Sequence, residues 1–324
     1  MRIAYTLTLT ALLIAGTFGC KKTETTVTLV TPVVPTPVVE TMPKTAANDE
    51  GFLFYNASTG ASAFYEVGVN FKSLNLVKDY GTRLGTNWTT VMSYQGFLLL
   101  YNANTGEAAL FDGLKITKRF SGFGYGFTHL TNIGNGRLVC YDALTGKTLY
   151  RVYDGSAETF ITLANVAVAA GYTSVLMGAP GVATGYVLWY NKTTGNMTMG
   201  YFNSNNTYAN QATAKFNAGC LLYNHYFSYR FWYTPTTGQG GTVNAGVLLD
   251  KATITAPAAN FPAKAWKLIE SSENYVVTYG STGSYAIYAT GKGSGINGSG
   301  TFQGVGIGTN ILKTDWTHLT SIQF

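Results

Sequence analysis

A short phrase, Tyr-Asn-x-x-Thr-Gly at the end of an apolar run, recurs six times along the chain. It reads Leu53-Phe54-Tyr55-Asn56-x-x-Thr59-Gly60, Leu99-Leu100-Tyr101-Asn102-x-x-Thr105-Gly106 and Val139-Cys140-Tyr141-Asp142-x-x-Thr145-Gly146, then Leu188-Trp189-Tyr190-Asn191-x-x-Thr194-Gly195. Two looser copies follow, Phe231-Trp232-Tyr233-Thr234-x-x-Thr237-Gly238 and the shorter Val277-Thr278-Tyr279-Gly280-Ser281-Thr282-Gly283. The closing glycines lie 46, 40, 49, 43 and 45 residues apart, and a period of this length is the signature of a repeat architecture. Asn or Asp bonds its own backbone two residues on and starts a turn, and Gly supplies the positive φ that ends a short hairpin loop. The run before each turn is apolar at consecutive positions, as in Phe97-Leu98-Leu99-Leu100, which predicts a strand buried on both faces.

A second element precedes most hairpins: Trp88-Thr89-Thr90-Val91, Phe127-Thr128-His129-Leu130, Tyr172-Thr173-Ser174-Val175, a degenerate copy at Phe216 to Cys220, and Trp266-Lys267-Leu268-Ile269. Its last copy, Trp316-Thr317-His318-Leu319, has no hairpin behind it, whereas the first hairpin has no such element in front. The register is therefore offset by one strand, as expected when one blade of a ring is made from both ends of the chain. Each unit has room for four strands, the third typified by Ala63 to Val67 and the fourth by Lys115 to Phe120. The expected fold is all-β, a six-bladed β-propeller over residues 51–324 closed by pairing of the C-terminal strand with the first blade. A straight β-solenoid is the competing repeat architecture, but it would not need the offset.

The pattern Trp-Thr-x-h followed by h-h-Tyr-Asn-x-x-Thr-Gly resembles the tachylectin-type propeller repeats and the related bacterial L-F-Y-x-x-x-T-G repeat proteins. The resemblance covers residues 51–324 and implies a propeller with lectin-like binding. It departs at Thr234 and Pro235 in the fifth turn and at the shortened sixth turn.

Residues 1–19 carry a basic start at Arg2, an apolar stretch through Leu12 to Ala15, and small residues before Cys20. They resemble a bacterial lipoprotein signal peptide, with Thr17 where the usual lipobox has Leu, and the resemblance implies lipidation of Cys20. An uncleaved membrane helix is the alternative, but the stretch is short of the roughly 20 residues that a span needs. A Lys after the cysteine implies, by the same resemblance, the outer membrane, periplasmic or cell-surface facing. Residues 20–50, rich in Thr, Val and Pro, read as an extended tether, with an added edge strand as the alternative.

Charged residues make up 11% of the chain, while Gly numbers 38 and Tyr 23, so Thr, Asn, Ser, Gly and Tyr must cover much of the surface. The net charge is +6, yet no run of Lys or Arg extends beyond Lys21-Lys22, which argues against a nucleic-acid partner. Cys140 and Cys220 fall in different units and are expected as buried free thiols. No cysteine or histidine spacing points to a metal, and no cofactor is expected. The Gly293 to Gly298 match to a dinucleotide fingerprint has no helix after it and reads as a loop or edge strand.

Aromatic rings beside amides and carboxylates are what a shallow carbohydrate site uses, so the candidate ligand-binding residues are Asn87, Trp88, Trp266, Asp315 and Trp316. The same tryptophans equally suit wedges between blades. No residue is assigned a catalytic role: His129 and His318 are equivalent repeat positions, His225 stands apart, and no motif singles out the carboxylate pair that a glycosidase requires. The expected function is a non-enzymatic cell-envelope lipoprotein that binds glycans at repeated sites. The alternatives are an interaction scaffold for an envelope protein and a propeller glycoside hydrolase.

Overall fold

In a computed structural model the described residues are 50–68, 73–178, 185–224, 229–244, 253–254, 266–272, 275–289, 303–308 and 312–323. The leader, Cys20, the tether up to residue 49, His225 and the Gly293 to Gly298 run lie outside them, and Glu50, at the tether's expected end, already belongs to the first strand. The described residues form 24 strands and include no helix long and apolar enough to cross a membrane.

The strands make six four-stranded antiparallel sheets, each a blade. Blade 2 shows the plan: β4 (Thr90–Tyr94), β5 (Phe97–Asn102), β6 (Glu107–Phe111) and β7 (Ile116–Phe120) pair in sequence order. Blade 3 repeats it with β8 (His129–Asn132), β9 (Arg137–Tyr141), β10 (Lys147–Asp154) and β11 (Thr159–Ala167). Blade 4 uses β12 (Ser174–Met177), β13 (Tyr186–Asn191), β14 (Asn196–Phe202) and β15 (Tyr208–Lys215). Blade 5 has β16 (Leu221–Asn224), β17 (Tyr229–Thr234), β18 (Gln239–Asn244) and β19 (Thr253–Ile254), and blade 6 has β20 (Trp266–Ser271), β21 (Tyr275–Gly280), β22 (Tyr285–Ala289) and β23 (Gln303–Gly308).

Blade 1 closes the ring. Its strands β1 (Glu50–Tyr55), β2 (Ser62–Val67) and β3 (Leu74–Gly81) follow one another, and β24 (His318–Gln323) supplies the innermost place. Tyr55 pairs with His318 and Phe54 with Leu319, and the Phe54 and Trp316 rings lie 5.9 Å apart. The predicted six blades, their four-strand content and the closure by the C-terminal strand are all present. The innermost strands β24, β4, β8, β12, β16 and β20 succeed one another around the axis.

Alternation explains why the second strand of each blade is apolar throughout. Along β5, Leu98 and Leu100 pack toward blade 1 while Leu99 and Tyr101 pack toward blade 3, so each face fills a different seam. Cys140 and Cys220 are free and buried as expected, in the seams between blades 2 and 3 and between blades 4 and 5.

Candidate functional site

Each turn phrase is a joint between neighbouring blades. Asn102 Oδ1 accepts the backbone N–H groups of Asn104 (2.9 Å) and Thr105 (3.2 Å), and Gly106 N–H closes the loop on Asn102 O at 2.9 Å. The Tyr101 hydroxyl then leaves its own blade: it donates to Gly124 O (3.0 Å) and accepts Phe127 N–H (3.1 Å), both on the crossover into blade 3. Tyr55 does the same with Gly85 O and Trp88 N–H, and Tyr141 with Ala169 O and Tyr172 N–H. Burial against these seams pushes the Tyr101 hydroxyl up to about 12, so it stays a donor across the ordinary pH range.

The threonine after the wedge residue ties the same joint from the inside. Thr89 Oγ accepts Ala103 N–H at 2.9 Å, Thr128 Oγ accepts Ala143 N–H at 3.0 Å, and Thr317 Oγ accepts Ala57 N–H at 2.8 Å. His318 and His129 extend it sideways. Their Nε2 atoms lie 3.0 Å from Thr89 O and Thr173 O of the next blade, and Nδ1 of each lies 2.8 Å from the preceding threonine hydroxyl. A carbonyl only accepts, so Nε2 carries the proton. Burial lowers both imidazole pKa values, against a smaller raising effect of the carbonyl bond, which favours the neutral ring.

The sequence-predicted ligand residues belong to this joint. Trp88 and Trp316 are only 3% and 1% exposed, wedged between blades 1 and 2 and between blades 6 and 1. Trp88 Nε1 donates to Leu84 O at 2.6 Å. Cations cover what remains: the Arg119 guanidinium lies 5.6 Å from the Trp88 ring and the Lys313 ammonium 5.7 Å from that of Trp316. Neither ring offers the open face that sugar stacking needs, and Trp266 is half-buried against the seam of blades 5 and 6. Asn87 and Asp315 are exposed, but both bond the turn of blade 1. Asn87 sits at φ +68° and its N–H donates to Ala57 O, and the Asp315 carboxylate accepts the Asn56 side-chain amide at 2.7 Å. The reason is geometric: a residue at the start of an innermost strand faces the neighbouring blade, so the aromatic there is consumed by packing.

The degenerate copy is also shifted. Gly219 N–H bonds Lys192 O as Gly126 bonds Ala103 and Gly171 bonds Ala143, which places Cys220, not Phe216, at the wedge position. Phe216 sits four residues earlier, where the other crossovers have Leu84, Phe123 and Leu312. Trp232 makes up the lost volume in that seam.

Among the described residues a cleft of about 580 Å³ lies between blades 3 and 4. Its floor is four side chains on adjacent strands: Asn196 and Thr198 of β14 lie across from Lys215 and Thr213 of β15, and directly paired residues present their side chains to the same face. Its wall is the crossover at Ala169-Ala170, Tyr172 closes the inner end, and Asn191 of the turn stands beside it. The Tyr172 hydroxyl donates to Thr198 Oγ at 2.9 Å. Asn191 Oδ1 is occupied by Thr193 and Thr194 N–H, while among the described residues its amide N–H groups and the Asn196 side chain have no partner. Among the described residues no carboxylate lines the cleft.

The residue after the closing glycine is shorter here than in the two preceding blades. After the closing glycine, blade 3 has Lys147, whose ammonium lies 5.7 Å from the Phe127 wedge, and blade 2 has Glu107, which pairs with the Arg119 that covers Trp88. Blade 4 has the shorter Asn196 there, and the loop opposite is built of alanine. Sequence reasoning missed it because the constellation is an absence of bulk at two distant places, for which no single residue is a signal.

On the innermost strands a second polar group stands out. Glu270 of β20 is half-buried, and its carboxylate accepts Ser321 Oγ (2.8 Å) and Ser321 N–H (3.2 Å) of β24. Burial raises its pKa to about 7 even though the serine bonds favour the charged form. Among the described residues no group of three or more His, Cys, Asp and Glu side chains is placed to hold a metal ion.

No family model matches the chain, and no curated protein matches it. Solved structures do match. A Bacteroides fragilis NCTC 9343 protein provisionally assigned as a 6-phosphogluconolactonase is similar at TM-score 0.53 with 12% identity over 86% of each chain. A chain of a nidogen–laminin complex matches at TM-score 0.52 and 9% identity over 84% of this chain and 98% of that one. The Pseudomonas aeruginosa periplasmic gluconolactonase matches at TM-score 0.50 and 11% identity over 81% and 80% of the two chains. At these identities the likeness is one of fold, and the chain is a β-propeller of the same general kind.

Proposed function

We propose that this chain is a lipid-anchored envelope protein whose propeller binds glycans without turning them over. The observation that carries the reading is the cleft between blades 3 and 4. Among the described residues it offers unpaired amide groups at Asn191 and Asn196, hydroxyls at Thr198 and Thr213, the aromatic Tyr172, and no carboxylate. Hydroxyl-rich ligands are held by such amide and hydroxyl groups, and hydrolysis of a glycoside needs two carboxyl groups about 5 to 9.5 Å apart that this cleft does not supply. The leader-like segment ending at Cys20 and the Pro-rich stretch after it support the anchor and the tether, and the tachylectin-type repeat pattern supports a lectin-like role.

The test is a broad glycan array, with affinity electrophoresis against soluble polysaccharides, run on folded protein and on Asn196→Ala. Binding that weakens in the variant supports the reading, and silence across the panel overturns it. The gluconolactonase names among the structural neighbours make lactone hydrolysis the enzymatic alternative. Turnover of a lactone that is lost in Glu270→Gln would replace the binding reading, because Glu270 carries a carboxyl with a pKa near 7. Lipidation is checked by labelling with a fatty-acid probe, which should be lost in Cys20→Ser.

A further inference from the structure

We infer that the cleft between blades 3 and 4 is selective for an anionic saccharide, one that carries a carboxylate or other fixed negative group beside free hydroxyls. The inference rests on the glycan reading and narrows it. Lys215 is exposed on the cleft floor, directly across from Asn196. Lys192 is exposed on the turn immediately after Asn191, which stands at the cleft edge. Neither lysine has an ion-pair partner among the described residues, where the two ion pairs are Lys118 with Glu158 and Arg119 with Glu107.

The contrast with the neighbouring seams gives this weight. There the cation is spent on its own wedge, Arg119 over Trp88, Lys147 over Phe127 and Lys313 over Trp316. At the seam of blades 3 and 4 the Tyr172 hydroxyl turns to Thr198, and Lys215 is left at the outer end of an open groove. With no acid among the described lining residues to neutralise it, an ammonium beside unpaired amides favours a ligand that brings its own negative charge and offers hydroxyls within reach. An exposed ammonium is screened over about 8 Å at physiological ionic strength, so the selectivity should be salt-dependent.

Affinity electrophoresis through gels with polygalacturonate, dextran or dextran sulfate tests this, with folding of each variant confirmed by circular dichroism. Retardation by polygalacturonate but not by dextran is expected. The apparent affinity should fall at least fivefold in Lys215→Gln, fall in Asn196→Ala, and stay unchanged in Lys147→Gln, whose ammonium lies outside the cleft. Equal loss in Lys147→Gln, or retention by dextran sulfate that Lys215→Gln leaves unchanged, would mean general attraction to polyanions and would overturn the inference. Retardation by dextran unaffected by Lys215→Gln would overturn the anionic selectivity while leaving glycan binding in place. No retardation by any polysaccharide would remove both.

Discussion

The tyrosine of the repeat shows how much one hydroxyl does. Its ring fills a seam, and its oxygen both donates to and accepts from the crossover that starts the next blade, so a single side chain fastens two blades. Tyr101→Phe keeps the ring and removes the oxygen, which leaves Phe127 N–H buried without its acceptor. The expected cost is about 1–3 kcal/mol, read as a lower urea midpoint at unchanged slope. Gly146 is constrained more tightly, since it sits at φ +76° and a Cβ added there would lie 2.0 Å from Val168 O. Gly146→Ala should cost about 3 kcal/mol, at the upper end of what single substitutions do. The need for glycine at the turn was legible in the sequence as a turn requirement. The second reason, the neighbouring crossover pressed against it, was not, because it comes from a segment more than 20 residues away.

At the scale of strands, the innermost element of each blade is where prediction and structure part. The repeated aromatic-Thr pair was readable as a strand start, yet whether its ring met solvent or a neighbouring blade depended on how sheets stack. Stacking buried Trp88 and Trp316 and set Glu270 against Ser321. Glu270 gives a signed expectation. Its folded pKa, about 7, lies above the ordinary 4.5, so the neutral carboxyl is the form the fold prefers. Its contribution to stability is complete below the unfolded value and is lost as pH rises through about 7. The charge on Tyr223, were it to form, would oppose this carboxylate further. Glu270→Gln keeps a carbonyl for Ser321 and never ionises. Its thermal midpoint should exceed that of the parent at pH 8 and match it at pH 4, and a difference that is independent of pH would rule out this account.

The whole molecule is a ring held by seams that are chemically alike, so its weak point is the place where chain continuity is missing. β24 and β1 are joined by pairing alone, from Glu50 with Gln323 to Tyr55 with His318, with the Trp316 ring behind them. Deleting residues 316–324 would expose the edge of β1 and empty the seam between blades 6 and 1. The truncated chain should lose cooperative unfolding and self-associate, measured by thermal melting and size-exclusion chromatography. Retention of a sharp transition and monomeric elution would show that closure contributes little.

The sequence by itself determined the architecture, since a phrase that encodes one hairpin, copied six times at a spacing that holds four strands, has few ways to bury its apolar runs other than radially. The one-strand offset between the Trp elements and the hairpins likewise carried the ring closure. Only the tertiary structure decided which surfaces stay open. A seam is filled or left vacant by side chains from distant stretches at once, Lys147 over Phe127 in one case and Asn196 lining a cleft with Ala170 in another, and that sum of volumes is a property of no single stretch of chain.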